Sequence, residues 1–320
     1  MRSKKRRIVE SIVSIAIVLA GAEVFCRFYL GLGTPALSMT HPTIEYLFKP
    51  NQEVSRFGNR IFINQYGMRT DNFPPNKEAG ELRIMVFGDS VINGGNLTDH
   101  SQLATTLVQQ KLSKTNGKVI VGNISAGSWG PGNWLAYAKE YGFFGADVVV
   151  LVASSHDYAD TPTFEALNKW THPTGNPLCA LYEAIMRYVP RYLPTWVTGG
   201  ENIEADAWKG VSEEQRAQEG LRDLREFLVY AKSSKARVIV LQHVERSELE
   251  SGSLQPGAQR IKEISAAVGV SAITMEPYFR RSLQEGGDPY RDNIHPNQLG
   301  QQLIADALTE NAFIAASQTH

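Results

Sequence analysis

Val86-Phe87-Gly88-Asp89-Ser90-Val91-Ile92-Asn93-Gly94 is the stretch from which this chain can be read. An apolar run over 84–87 stops at Gly88, and apolar positions at helical spacing follow over 103–112. That order predicts a strand leading into a helix. The unit recurs at 119–121 with 134–144, and residues 148–152 form a continuous aliphatic run suited to a strand covered on both faces. Further on come helical spacing at 213–231, a strand-like run at 238–241, a helix at 259–268, a short run at 272–275 and a final helix at 296–309. Alternation of this kind predicts an α/β fold, a three-layer sandwich with a mostly parallel central sheet of flavodoxin-like type.

Outside this core the composition changes. Arg2, Lys4, Lys5, Arg6 and Arg7 precede an apolar segment over 8–32 that is broken by Glu10, Glu23 and Arg27. Its uncharged part, 11–22, is short for a bilayer span of roughly 20 residues, but apolar character resumes at Val24, Phe25, Cys26 and Phe28. The segment 1–32 is read as an N-terminal membrane-anchor helix, with a signal cleaved near Ala20-Gly21-Ala22 as the alternative. Either way, the basic cluster stays cytoplasmic and the remainder crosses the membrane, so the body is anchored, or secreted, outside the cytoplasm. Residues 33–80, rich in Pro, Gly and Asn, read as a linker and irregular lead-in with short strand-like pieces. Residues 81–320 form the main domain, and an insertion at about 158–210 carries Trp170, several prolines and one helix near 178–188.

A formal net charge of −1, with basic residues concentrated only at the N-terminus, argues against nucleic acid as a partner. With Cys26 at the end of the apolar segment and Cys179 in the body, no structural disulfide is expected. His41, His100, His172, His243 and His320 show no metal-ligand spacing, so no metal or cofactor is expected.

Two short stretches carry chemistry. Ser90 follows a strand and a Gly-Asp turn, which puts it at the carboxyl end of a parallel sheet, where open α/β folds bind ligands. A serine hydroxyl needs a base in hydrogen-bond reach and a group to orient that base. Asp292 and His295, three residues apart ahead of the final helix, supply both types from one turn. Each stretch also has an ordinary reading, as helix capping at Ser90 and as helix-entry chemistry at Asp292-Asn293-Ile294-His295-Pro296.

Together the two stretches resemble the SGNH (GDSL-like) hydrolase family, over residues 83–308. The resemblance implies Ser90 as nucleophile and Asp292 and His295 as the other members of a catalytic triad. It also implies oxyanion donors: the backbone N–H of Ser90, that of Gly127 in Asn123-Ile124-Ser125-Ala126-Gly127-Ser128-Trp129-Gly130 with Ser128 as the alternative, and the residue at His156 in Ser154-Ser155-His156-Asp157. The family pattern has asparagine where His156 stands; an imidazole N–H can also donate, but it titrates. Trp129, Asn133, Trp134 and Trp170 fit a substrate groove or core and lid packing equally well. The implied function is a serine esterase removing acyl groups, acetyl above all, from an extracytoplasmic carbohydrate or similar ester. The alternatives are an O-acyltransferase acting on exported polysaccharide and a non-catalytic glycan-binding or assembly protein.

Overall fold

A computed structural model describes residues 2–189 and 210–317 of the chain. It begins with helix α1 (Arg2–Val24), continued by a wider π-type turn over Phe25–Tyr29. Two antiparallel hairpins follow, β1 (Ser38–His41) with β2 (Glu45–Phe48) and β3 (Gln52–Arg56) with β4 (Asn59–Ile63). The stretch read as linker and lead-in carries these hairpins, and its Ile44, Tyr46, Leu47, Met68 and Phe73 are buried against the main sheet.

That sheet has five strands, β5 (Leu82–Gly88), β6 (Val119–Ser125), β7 (Val148–Ala153), β8 (Arg237–Gln242) and β9 (Ser271–Thr274). They are all parallel and lie in the order β6-β5-β7-β8-β9. Successive side chains of a strand point to opposite faces, so each buried strand feeds two apolar layers. On one face Met85, Phe87, Val149, Leu151 and Val240 pack with Trp134, Leu224, Phe227 and Ile261. These come from α4 (Pro131–Tyr141), α6 (Glu213–Ser233) and α8 (Pro256–Ala267). On the other face Ile84, Val86, Val148, Val150 and Leu241 pack with Val108, Leu112, Ile304 and Leu308 of α3 (Ala104–Asn116) and α10 (Gln298–Ser317). The result is the expected three-layer α/β architecture.

Local chemistry sets the helix ends. Ser212 accepts from the N–H of Gln215 in a capping box that starts α6, and Pro131 opens α4 where its missing N–H would have no partner. Three further helices, α2 (Ser90–Asn93), α7 (Arg246–Ser251) and α9 (Glu276–Gln284), did not stand out in the sequence. Met275, read as the end of the last strand, sits just before α9 instead. Pro277 opens α9, and its Phe279 is buried against His243 and Tyr290.

The segment Lys4–Tyr29 is 26 residues long, and its most apolar 18-residue window has mean hydropathy 2.1 with none of it buried, long and apolar enough to cross a membrane. Its far end is tied to the body. Glu23 accepts from the N–H groups of Ala180 and Leu181 at the start of α5 (Ala180–Glu183), at 3.1 and 2.8 Å. Cys26 and Leu32 bury themselves against Ala180. Residues 190–209, the later part of the insertion, lie outside the described residues.

Candidate active site

With β5 flanked by β6 on one side and β7 on the other, the strand order reverses beside β5, and the crevice this opens lies at the carboxyl ends of the strands. Ser90 stands there. Asp89 caps α2 by accepting from the N–H of Val91 at 2.9 Å, which makes Ser90 the first helical residue, its own N–H left without an intrahelical partner. Gly94 ends α2 in the left-handed region (φ 74°), and a Cβ there would come within 2.8 Å of Leu103.

The opposing loop arrives from the other end of the chain and is held on several sides. Asp292 Oδ1 accepts from the N–H groups of Ile294 (2.9 Å) and His295 (2.8 Å). Arg291 donates its N–H to His295 O at 2.9 Å, and His243 Nε2 lies 2.8 Å from Ile294 O. In that setting His295 Nδ1 lies 2.8 Å from Asp292 Oδ2, and His295 Nε2 lies 3.0 Å from Ser90 Oγ. The three residues that resemble a triad meet in space. Burial pushes the Asp292 carboxyl up, but the N–H groups of His295 and Ile294 and the imidazole outweigh it, so the group is held below the usual carboxylate range.

A cavity of about 150 Å³ opens beside Ser90 and is lined also by Gly127, Asn93, Tyr46 and Arg69. Neither the N–H of Ser90 nor that of Gly127 donates to another described residue. Gly127 is held from its other side, its carbonyl accepting from the Tyr46 hydroxyl. Ser128 takes a left-handed backbone (φ 55°). Trp129 and Trp134 are buried and donate to Tyr46 O (3.1 Å) and Gly88 O (3.0 Å), so both are core residues. Asn133 is also buried, its amide on Ile44 O at 2.7 Å. Gly130 packs so closely that a Cβ would lie 1.9 Å from Asp160 O.

His156 sits among carboxylates. Its Nδ1 lies 3.0 Å from Glu245 Oε1, while Nε2 lies 3.3 Å from Asp157 Oδ1 and 3.7 Å from Asp89 Oδ2. Nδ1 is therefore taken up by Glu245, whereas Nε2 lies near two carboxylates without a hydrogen bond, and Asp157 Oδ1 has no hydrogen-bond partner. Burial works against a charge on His156, but Asp157, Asp89 and Glu245 outweigh it and push its pKa up to about 12. Asp157, fully buried beside Asp89, is pushed well above the usual carboxylate range, whereas the contact with His156 holds Asp89 below it despite burial. Asp89, His156 and Asp157 offer ligand-type atoms within 4.8 Å of one another.

Glu245 was not singled out from sequence, although it lies shortly after β8 on the same sheet edge. Its Oε2 accepts from Asn293 Nδ2 at 2.9 Å, which connects the His156 cluster to the loop bearing Asp292 and His295.

No family model and no curated protein matches the chain. Among solved structures, a two-domain esterase active on acetylated mannans is similar at 16% identity and TM-score 0.46, over 74% of this chain and 50% of that one. The chain thus spans about half the length of that esterase. A catalytic mutant of Axe2, an acetylxylan esterase from Geobacillus stearothermophilus, is similar at 12% identity and TM-score 0.44, over 72% of this chain and 93% of that one. A member of the lipolytic protein G-D-S-L family from Veillonella parvula is similar at 11% identity and TM-score 0.40, over 72% and 97%.

Proposed function

We propose that the chain is an SGNH-type serine ester hydrolase, with Ser90 as nucleophile, His295 as general base and acid, and Asp292 as the group that orients the imidazole. The observation that carries this reading is the run of contacts from Ser90 Oγ through His295 to Asp292, at 3.0 and 2.8 Å. His295 Nε2 takes the hydroxyl proton as Ser90 Oγ attacks the ester carbonyl carbon, and Asp292 stabilises the imidazolium that forms. The N–H groups of Ser90 and Gly127, neither of which donates to another described residue, receive the oxyanion. As the carbonyl re-forms, the bond to the alcohol oxygen breaks and His295 returns the proton to it. Water, deprotonated in turn by His295, then releases the acid and restores Ser90.

The proposed substrate and location rest on the following features of the chain. The cavity at Ser90 shares Pro35, Pro173 and Arg187 with a second one lined by Trp170 and Tyr182, whose rings lie 5.8 Å apart. Aromatic faces of this kind suit sugar rings, so an acylated, above all acetylated, glycan is the proposed substrate. The basic cluster ahead of an apolar helix supports an anchor with the body outside the cytoplasm.

The test is labelling with a fluorophosphonate probe, which is expected to modify wild-type protein and not the Ser90→Ala variant. Acetate release from an acetylated oligosaccharide then distinguishes hydrolysis from transfer. Release without an acceptor supports the hydrolase, and acetylation of an added glycan in excess of release would reassign the chain as an acyltransferase.

A further inference from the structure

The cavity at Ser90 has an uneven charge. Arg69, Arg187 and His172 line it, and no aspartate or glutamate does among the described residues. Arg69 is buried; it donates to the carbonyl oxygens of Asn93, Gly95 and Thr98, and its Nε has no partner. Those contacts hold the guanidinium in place without neutralising it, and burial lowers its pKa to about 9. Arg187 shares one carboxylate with another guanidinium. Glu183 is paired with the fully buried Arg56 and lies 3.3 Å from Arg187 Nη1, so two cations meet one anion, and Arg187 Nε is likewise without a partner. The adjoining cavity, about 140 Å³, adds Lys169, whose ammonium lies 5.1 Å over the Trp170 ring. Its one acidic wall residue is the same Glu183.

A buried guanidinium short of counter-charge is unfavourable, and a carboxylate that reaches it gains charge-assisted hydrogen bonds in a planar, directional arrangement. His172, half-buried and with its pKa lowered to about 4 by desolvation, adds no cation near neutral pH and leaves the selection to the arginines. We infer that this cleft selects an acidic glycan, a sugar chain bearing carboxylates of the uronic-acid type, with a carboxylate met by Arg187 and Arg69 next to the group presented to Ser90. The position of the ester rests on the hydrolase reading above; the charge selection does not.

The experiment begins with binding, which needs no turnover. Full-length Ser90→Ala protein in detergent is titrated calorimetrically with trigalacturonate and with xylotriose. The acidic trimer is expected to bind roughly 10-fold or more tightly, since hydrogen bonds to charged groups are about twice as strong as neutral ones. That preference should shrink in high salt, and in the Arg187→Gln and Lys169→Gln variants. Equal binding, or tighter binding of xylotriose, overturns the inference. Turnover then locates the charge. Wild-type protein is expected to favour acetylated trigalacturonate over acetylated xylotriose, and to show no preference for p-nitrophenyl hemisuccinate over the butyrate. A preference only within the second pair would move the carboxylate to the acyl group and overturn the glycan assignment. Fluorophosphonate labelling separates the two failures: acid-selective binding without labelling of Ser90 would end the hydrolase reading alone, and labelling without acid selection would end this one alone.

Discussion

Nδ1 of His156 lies 3.0 Å from Oε1 of Glu245, and with Asp157 and Asp89 on the opposite nitrogen the ring is enclosed by three acids. Replacing His156 by alanine leaves those acids without their cation. Removal of one partner from a fully buried pair costs about 3–5 kcal/mol, and because the His156 side chain is 31% exposed a smaller loss, about 2 kcal/mol, is expected. Urea unfolding checks this. Adding Glu245→Gln to His156→Ala should recover part of the loss, and strict additivity of the two would refute the coupling.

Asp292 holds His295 by its side chain and by two backbone N–H groups, so Asp292→Asn should keep the fold but present the ring with the wrong donor pattern. A fall in kcat of roughly 10³-fold or more is expected, with an unchanged melting temperature. Its carboxyl is held low, so its ionisation should persist well below neutral pH. Unaltered kcat in this variant would remove Asp292 from the triad.

His243 is buried under the same loop, and burial lowers its pKa from 6.5 to about 4 despite the bond to Ile294 O. The unfolded chain binds this proton first as pH falls. The stability that comes from keeping the ring neutral is therefore complete above about pH 6.5 and declines towards pH 4, by about 3 kcal/mol in all. His243→Gln, whose amide nitrogen can stand at the Nε2 position and donate to Ile294 O, should show a smaller drop between pH 7 and pH 4 in denaturant titrations. Parallel curves for the two proteins would contradict the assignment.

Glu183 joins three parts of the chain: it accepts from the N–H of Gly33 at 2.7 Å, pairs with Arg56 of β3 and lies beside Arg187. Glu183→Gln leaves Arg56 buried without a carboxylate and should destabilise by about 3 kcal/mol. Limited proteolysis should then cut within 178–188 sooner than in the wild type, and an unchanged cleavage pattern would show that the ion pair does not hold the insertion down.

How much of this could be read in advance depended on whether a signal was local. The apolar runs at 84–87, 148–152 and 238–241 lie in β5, β7 and β8, because a strand covered on both faces has no room for a polar residue. Ser90, Asp292 and His295 stood out because their neighbours carried turn and helix-entry patterns. Helix α9 also carries local signals, Pro277 in its first turn and Phe279 and Leu283 four residues apart, and Phe279 is further held by packing on His243 and Tyr290. His156 was legible from its place in a motif, but its electrostatic setting was not: Asp157 is adjacent in sequence, whereas Asp89 and Glu245 reach it only from the ends of β5 and β8.

What the order of residues determined by itself was the alternation of strands and helices, the apolar N-terminal helix and the three residue types needed for acyl transfer to serine. Only tertiary structure decided which side chains face one another: that His295 reaches Ser90 across 205 positions, that three carboxylates enclose His156, and that Arg69 and Arg187 line one cavity. The physical reason is that hydrophobic periodicity is written within a few residues, whereas electrostatic environment is set by charges that the parallel strand order gathers at one sheet edge from distant parts of the chain.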